Sequence, residues 1–282
     1  MAIEYDAGYG RLVDTTVRVA TWNVWGRYGP WEARLAAITE TLRRVDADIV
    51  GLQEVWEDDT RSQAAELAAA LGYEGVVYAA NLERDGARSG NAVLARWPIR
   101  AHEVHTLPRV AGDFIDEEGE ERLVVLAEVD GPRGPIQIYC AHLSWRADHS
   151  AIRQEQAAAI CRLVRERRPR SFPAVLLGDL NAGPDSDELR MLTGQRTAAV
   201  PGVVFRDAWE AAGKEGRGAT WSNVNPFAAA SLDLDRRIDH ILLGAPKLHG
   251  CGQPLATGLA GDEPVDGMFG SDHFAVVTDL RY

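Results

Sequence analysis

Cysteine is scarce: Cys140, Cys161 and Cys251 are three in 282 residues, far apart and without a Cys-x-x-Cys pair. That excludes a disulfide framework and a thiolate zinc site, and three small buried thiols are the simplest reading. No run approaches the roughly 18 apolar residues of a membrane span. The first residues carry Glu4, Asp6 and Asp14 and no apolar segment of a secretory leader, so a cytoplasmic protein without membrane insertion is expected. Positive charge is also short, with 30 Lys+Arg against 42 Asp+Glu and a formal net charge of −12. A protein that coats long duplexes gains affinity from Lys and Arg against phosphates, and that class is excluded. A phosphate-handling enzyme is not, because a divalent cation supplies local positive charge. No Gly/Ser- or Pro-rich linker and no fixed-period repeat divides the chain, so residues 1–282 are expected as a single domain with its core over about 17–281.

Apolar periodicity supplies the elements. Residues 17–23 alternate as a strand, and residues 31–45 place Leu35, Ile38, Leu42 and Val45 at helical spacing. Residues 48–53 read as a short apolar strand, then 59–71 as a helix with Asp59 or Thr60 as N-cap and Gly72 as its stop. Strands are expected at 75–79, 91–95, 101–107, 123–129 and 136–141, the last two joined by a hairpin turn through Gly131-Pro-Arg-Gly134. Residues 151–167 read as a helix, and 174–177, 238–243 and 274–280 as strands; the acidic run 113–121 reads as a solvated loop. Strands often follow one another with no helix between them, which argues against a purely parallel, doubly wound sheet. About ten strands and some four helices point to an α+β protein with two mixed sheets packed together and helices outside.

Polar residues end these apolar runs in a consistent way. Asn23 follows VRVATW, Glu54 follows DIVGLQ, His142 follows IQIYCA and Asp179 follows PAVLLG, while Asp239 precedes HILL and Asp272-His273 precede FAVVTDL. Where strands run both ways, the C-terminal ends of some share an edge with the N-terminal ends of others, so these groups can meet along one rim. Carboxylates, amides and imidazoles at a rim suit metal-assisted phosphate chemistry, since Mg²⁺ prefers carboxylate oxygens.

Seven short blocks occur in order between positions 21 and 273: Thr21-Trp-Asn-Val24, Gly51-Leu-Gln-Glu54, Ser89-Gly-Asn-Ala92, Ala141-His-Leu143, Gly178-Asp-Leu-Asn181, Arg237-Ile-Asp-His240 and Gly270-Ser-Asp-His273. In these blocks the sequence resembles the endonuclease/exonuclease/phosphatase superfamily, which includes deoxyribonucleases, abasic-site endonucleases, inositol polyphosphate 5-phosphatases and neutral sphingomyelinases. The resemblance implies a four-layer α/β/β/α sandwich with the active site at one rim. It implies Glu54 as principal ligand of Mg²⁺ or Mn²⁺, one or two ions, with Asn23 and Asp272 nearby. Asp179, helped by the amide of Asn181, would orient or deprotonate the attacking water. His273, held by Asp239, would contact the phosphate, and His142 would hold another oxygen or assist the leaving group.

Substrate is read from departures and neighbours. Abasic-site endonucleases usually have an acidic residue where Trp25 stands, so the deoxyribonuclease and phosphatase branches are closer. Trp25, Trp56 and Trp145 each follow a site residue and are candidates for an aromatic rim that stacks a base or sugar. Arg88 and Arg146 are placed to reach a phosphate, with Asn91 in the third block a further candidate contact. The expected activity is a divalent-metal-dependent phosphoesterase on a small or single-stranded phosphodiester or phosphomonoester. A DNA or RNA endonuclease or exonuclease is the alternative, and a non-catalytic binding module a remote one.

Overall fold

A computed structural model of the chain describes residues 15–84, 86–109 and 121–282. The chain opens with strand β1 (Thr16–Asn23), helix α1 (Trp31–Val45) and strand β2 (Ile49–Asp58), a β-α-β unit whose strands pair in parallel. Helix α2 (Gln63–Leu71) leads into the antiparallel strands β3 (Gly75–Arg84) and β4 (Ala87–Ala95). Then come β5 (Ile99–Thr106), β6 (Leu123–Gly131) and β7 (Gly134–His142); the last two form a tight hairpin in which Gly131 faces Gly134. A second parallel unit follows from β7 through α3 (Ser150–Arg167) to β8 (Val175–Asp179). The remainder comprises α4 (Asp187–Leu192), β9 (Arg206–Asp207), α5 (Ala208–Ala211), α6 (Pro226–Ala229), β10 (Asp239–Leu243), β11 (Pro254–Ala260) and β12 (Ala275–Arg281).

These strands make two six-stranded mixed sheets, ordered β11-β12-β1-β2-β4-β3 and β5-β6-β7-β8-β10-β9. Strand alternation divides the apolar residues into layers. Val17, Val19 and Ile49 of the first sheet meet Val125, Cys140, Val175 and Leu177 of the second in the central core. The opposite parity, Ala20, Trp22, Val50 and Leu52, packs with Ile38 and Leu42 of α1 and Leu67 of α2. Tyr139, Leu176 and Leu242 likewise pack with Ile160 and Cys161 of α3 and Leu189 of α4. The expected helix–sheet–sheet–helix sandwich is the observed one. The sheets approach so closely at Gly51 that a Cβ there would lie 2.0 Å from Leu177 Cδ1.

The expected elements differ from the observed ones in informative places. Helix α2 starts at Gln63 behind the N-cap Ser62, not at Asp59 or Thr60. Asp58 Oδ1 instead accepts the N–H groups of Thr60 and Arg61, which fixes a turn and delays the helix. Gly72, left-handed at φ 74°, stops it as expected. Strand β2 runs five residues past Gln53, to Asp58, and β3 and β4 extend to Arg84 and back from Ala87. Their polar ends carry no apolar alternation, so sequence pattern shortens them. The short helix α4 and edge strand β11 were also not foreseen; β11, with its Gly258, has little burial pattern to reveal it. The acidic loop expected over 113–121 lies outside the described residues except for Glu121, which is exposed. Among the described residues no helix is long and apolar enough to cross a membrane.

Candidate active site

Topology brings the polar strand ends together. The parallel strands β1 and β7 end at Asn23 and His142, where Asn23 pairs with Gln53 and His142 with Asp179. Antiparallel β10 begins at Asp239, also opposite Asp179. Asp272 and His273 lead into β12 beside β1. Glu54 reaches the same rim by a different device. Leu52 pairs with Ala92 and Val55 with Gly90, so Gln53 and Glu54 together oppose Asn91 in a β-bulge. Glu54 there is left-handed, at φ 55°, and a bulge re-aims its side chain out of the sheet's alternation. Gly178 serves Asp179 similarly: its φ is 144°, and a Cβ would lie 1.8 Å from the Ala141 carbonyl oxygen.

Hydrogen bonds and close charge contacts link these groups. His273 Nδ1 lies 2.9 Å from Asp239 Oδ2, and its Nε2 lies 3.8 Å from Asp179 Oδ2. His142 Nε2 stands 3.4 Å from that same oxygen. Asn23 Nδ2 donates to Glu54 Oε1 at 2.9 Å and to Asp179 Oδ2 at 3.1 Å. Asp179 Oδ1 accepts the Asn181 backbone N–H at 2.9 Å, and the Asn181 side-chain amide donates to the Leu143 carbonyl at 3.1 Å. Asp239, His273, Asp179 and His142 are all buried.

Burial and charge split the two imidazoles. Burial disfavours an imidazolium at His273, but Asp239, Asp179 and Asp272 outweigh it and hold the ring well above the ordinary histidine range. Burial, then Arg122 and His273, keep His142 well below that range and therefore neutral. Burial and the nearby Asp239 push the Asp179 carboxyl up to about 6, against the pull of His273. Asp272 also rises to about 6, chiefly through burial; His273 opposes the rise and Glu54 adds to it.

The donor set fits a divalent cation. Glu54 and Asp272 both open onto one cavity, and each disfavours the other's charge. Carboxylate oxygens are what a hard cation takes, and a cation there relieves the repulsion. Asn23, expected as a ligand, is turned otherwise. The Trp25 backbone N–H, which only donates, lies 3.0 Å from Asn23 Oδ1. The amide NH₂ therefore faces Glu54 and Asp179 and donates to both. Asp179, Asp239 and His273 each bring a ligand atom within 4.8 Å of the others.

The cavity holds about 1080 Å³. Glu54, His142, Asp179, Asn181, Asp272 and His273 lie on its surface, with Trp25, Tyr28, Trp145 and Trp221 among the aromatic walls. Trp145 is 56% exposed and free to meet a ligand. Trp56 touches the cavity but is only 2% exposed, with the Arg27 guanidinium 4.1 Å over its ring and Trp31 edge-on at 5.1 Å. It packs the wall and offers no stacking face. Arg88 lines the cavity and pairs with Glu57 at 3.1 Å. Arg146 turns to Asp148 at 3.0 Å and is not on the wall. Asn91 is buried opposite the bulge, its amide donating to the Leu123 carbonyl at 3.2 Å, and is not on the wall either.

Sequence reasoning missed several contributors. Arg122 is a nearly buried wall residue, and Trp221 packs edge-on to His273 with ring centroids 5.0 Å apart. Thr220 Oγ1 accepts the N–H groups of Ile238 and Asp239 at 3.0 and 3.1 Å. Ser271 Oγ donates to the Asn23 carbonyl at 2.7 Å, joining the two strand ends. Arg34 is fully buried beneath the rim. Burial pulls its guanidinium down to about 10, with Asp272 and Glu54 holding it up. It had a sequence signal, a charge in phase with the apolar stripe Ile38, Leu42 and Val45.

The two-sheet sandwich carries a carboxylate–imidazole rim at one end of its strands. A model of the Endonuclease/Exonuclease/phosphatase family matches residues 20–273, and the chain belongs to that family, whose members are hydrolases acting on phosphate esters. The Escherichia coli K12 protein YbhP is 30% identical over 162 residues, 52% of this chain and 58% of YbhP, so the match spans little more than half of that relative. Among solved structures, a truncated Caenorhabditis elegans TDP2 is similar with a TM-score of 0.71 and 22% identity, over 95% of this chain and 98% of that one. D. rerio TDP2 complexed with single strand DNA product gives 0.70 and 19%, over 95% and 100%. An endonuclease/exonuclease/phosphatase from Beutenbergia cavernae gives 0.68 and 24%, over 94% and 71%. At these identities the likeness establishes the fold.

Proposed function

We propose that the chain hydrolyses small or single-stranded phosphodiesters with the help of Mg²⁺ or Mn²⁺. The observation that carries this is the cavity of about 1080 Å³, with Asp179, His142 and His273 on its surface beside the Glu54–Asp272 carboxylate pair. Glu54 and Asp272 would hold the cation, which would supply Lewis-acid charge stabilisation to a phosphate oxygen. Asp179 accepts the proton of the attacking water. A carboxyl near 6 is ionised at neutral pH yet basic enough for the task. The N–H groups of Asn23 and Asn181 hold one oxygen each and fix its direction. His273, kept cationic by Asp239, pairs with a non-bridging phosphate oxygen. Neutral His142 serves a second oxygen or the departing one. The water oxygen–phosphorus bond forms in line as the ester phosphorus–oxygen bond breaks, and the leaving oxygen takes up a proton.

The aromatic walls favour stacking of one or a few bases, and D. rerio TDP2 holds a single strand DNA product on this fold. A DNA or RNA nuclease working along longer chains is the second reading, drawing on Arg84, Arg88, Arg122 and Arg236 at the cavity. The test compares bis(p-nitrophenyl) phosphate, p-nitrophenyl phosphate, and short single- and double-stranded oligonucleotides, each with Mg²⁺. Faster turnover of the diester and single strand is expected. Preference for long duplex with a steep salt slope would overturn the substrate assignment.

A further inference from the structure

The two β-α-β units place an arginine alike. Asn23 ends β1, and Arg34 follows eleven residues later as the fourth residue of α1. His142 ends β7, and Arg153 follows eleven residues later as the fourth residue of α3. Both side chains are buried, and both reach back to the loop that carries the strand-end residue. Their partners differ. Arg153 donates to the carbonyls of Ser144 at 2.9 Å and Arg146 at 2.6 Å, and its charge is matched by Glu188 at 2.5 Å.

Arg34 donates only to backbone. Its Nη1 reaches the carbonyls of Val24 at 2.9 Å and Gly270 at 2.7 Å. Its Nη2 reaches Trp25 at 2.8 Å and Gly26 and Tyr28 at 2.9 Å. No carboxylate is hydrogen-bonded to it among the described residues, and its electrostatic partners are Asp272 and Glu54. Burying a charge without a paired carboxylate is costly, so such a group is retained only where its donors are well used.

The carbonyls it gathers belong to the two segments that flank the carboxylate pair. Val24 and Trp25 directly follow Asn23, whose amide holds Glu54, and the Trp25 N–H holds the Asn23 oxygen. Gly270 precedes Ser271 and Asp272, and Ser271 Oγ bonds back to the Asn23 carbonyl. A planar guanidinium with five donors in a fixed fork joins both segments at once, which a flexible ammonium does not.

We propose that Arg34 is the positioning residue of the cation site, locking the Asn23 loop to the Asp272 loop so that Glu54 and Asp272 are held ready for a divalent ion. This rests on the reading that those carboxylates take the cation. Outer residues that orient metal ligands typically cost 10–100-fold in affinity or activity when changed.

The test is calorimetric titration of the metal-free full chain with Mn²⁺, comparing wild type, Arg34→Lys, Arg153→Lys and Glu54→Gln, with kcat and KM for a diester in parallel. An excluded osmolyte such as trimethylamine N-oxide keeps weakened variants folded. Arg34→Lys is expected to lose at least about tenfold in Mn²⁺ affinity and to lower kcat more than it raises KM. Arg153→Lys is expected to lose stability while keeping Mn²⁺ affinity. If Arg34→Lys binds like wild type while Glu54→Gln does not, the positioning role is overturned and the cation reading stands. If Glu54→Gln binds like wild type, the cation reading itself fails. An Arg34→Lys chain that stays unfolded where Arg153→Lys folds overturns the assignment too, because Arg34 would then hold the fold and not the site.

Discussion

His273 Nδ1 meets Asp239 Oδ2 at 2.9 Å in a buried pair, while the other ring nitrogen faces Asp179 at 3.8 Å. The first contact fixes which way the ring points, and both carboxylates keep it charged. Asp239→Asn should therefore leave the fold intact, lower kcat by about 10²-fold or more, and let His273 lose its proton at lower pH. Imidazole NMR titration alongside kinetics checks this. A variant with wild-type turnover and an unshifted ring would contradict the assigned role.

Metal and pH are linked through stability. Asp179 and Asp272 sit at about 6 in the folded chain against an ordinary 3.8. The folded state therefore holds protons that the unfolded state has released. Their stabilising effect is complete below about pH 4 and is lost as pH rises through about 6. A bound divalent cation offsets that loss, so Mg²⁺ should raise the Tm of metal-free protein more at pH 7 than at pH 5. Equal shifts at both pH values would count against a cation beside these carboxylates.

Arg153 and Glu188 form a buried pair at 2.5 Å, and Ser150 Oγ donates to the same carboxylate at 2.7 Å. Glu188→Ala strands a buried guanidinium and is expected to cost about 3–5 kcal/mol, read by denaturant unfolding. Replacing both partners with apolar residues, Arg153→Met with Glu188→Leu, should recover part of that loss. A near-neutral single substitution would show that the pair is not desolvated.

Gly178→Ala tests the backbone under Asp179. A methyl group placed 1.8 Å from the Ala141 oxygen forces β7 and β8 apart next to the His142–Asp179 contact. The expected outcome is a lower Tm together with about a hundredfold loss of kcat, since small misplacement of reacting groups costs that much. Unchanged turnover would mean the register of these two strands does not set the site.

Residues at strand ends were legible because the signal is local: an apolar run stops and a polar residue stands at its edge. Asn23, His142, Asp179, Asp239 and His273 stand at such ends and meet at one rim, and the succession of strands without intervening helices already implied two mixed sheets. Glu54 was found, but not the bulge that aims it, because a left-handed residue inside a continuing strand leaves no mark in hydrophobic pattern. Arg122, Trp221 and Thr220 were missed since each enters from a segment with no local motif and gains its place only by tertiary contact. The direction of the Asn23 amide left no mark in the sequence either, because the Trp25 backbone N–H that meets its oxygen is set by the turn after β1.

The central claim is cation-dependent diester hydrolysis with Asp179 as the base. Turnover of bis(p-nitrophenyl) phosphate by wild type and Asp179→Asn, in Mg²⁺ and in excess chelator, tests it most directly. Wild type should turn over only with Mg²⁺, and Asp179→Asn should fall by about 10²–10⁴-fold while still folded. Turnover that survives the chelator, or a near-normal kcat for Asp179→Asn, would contradict it.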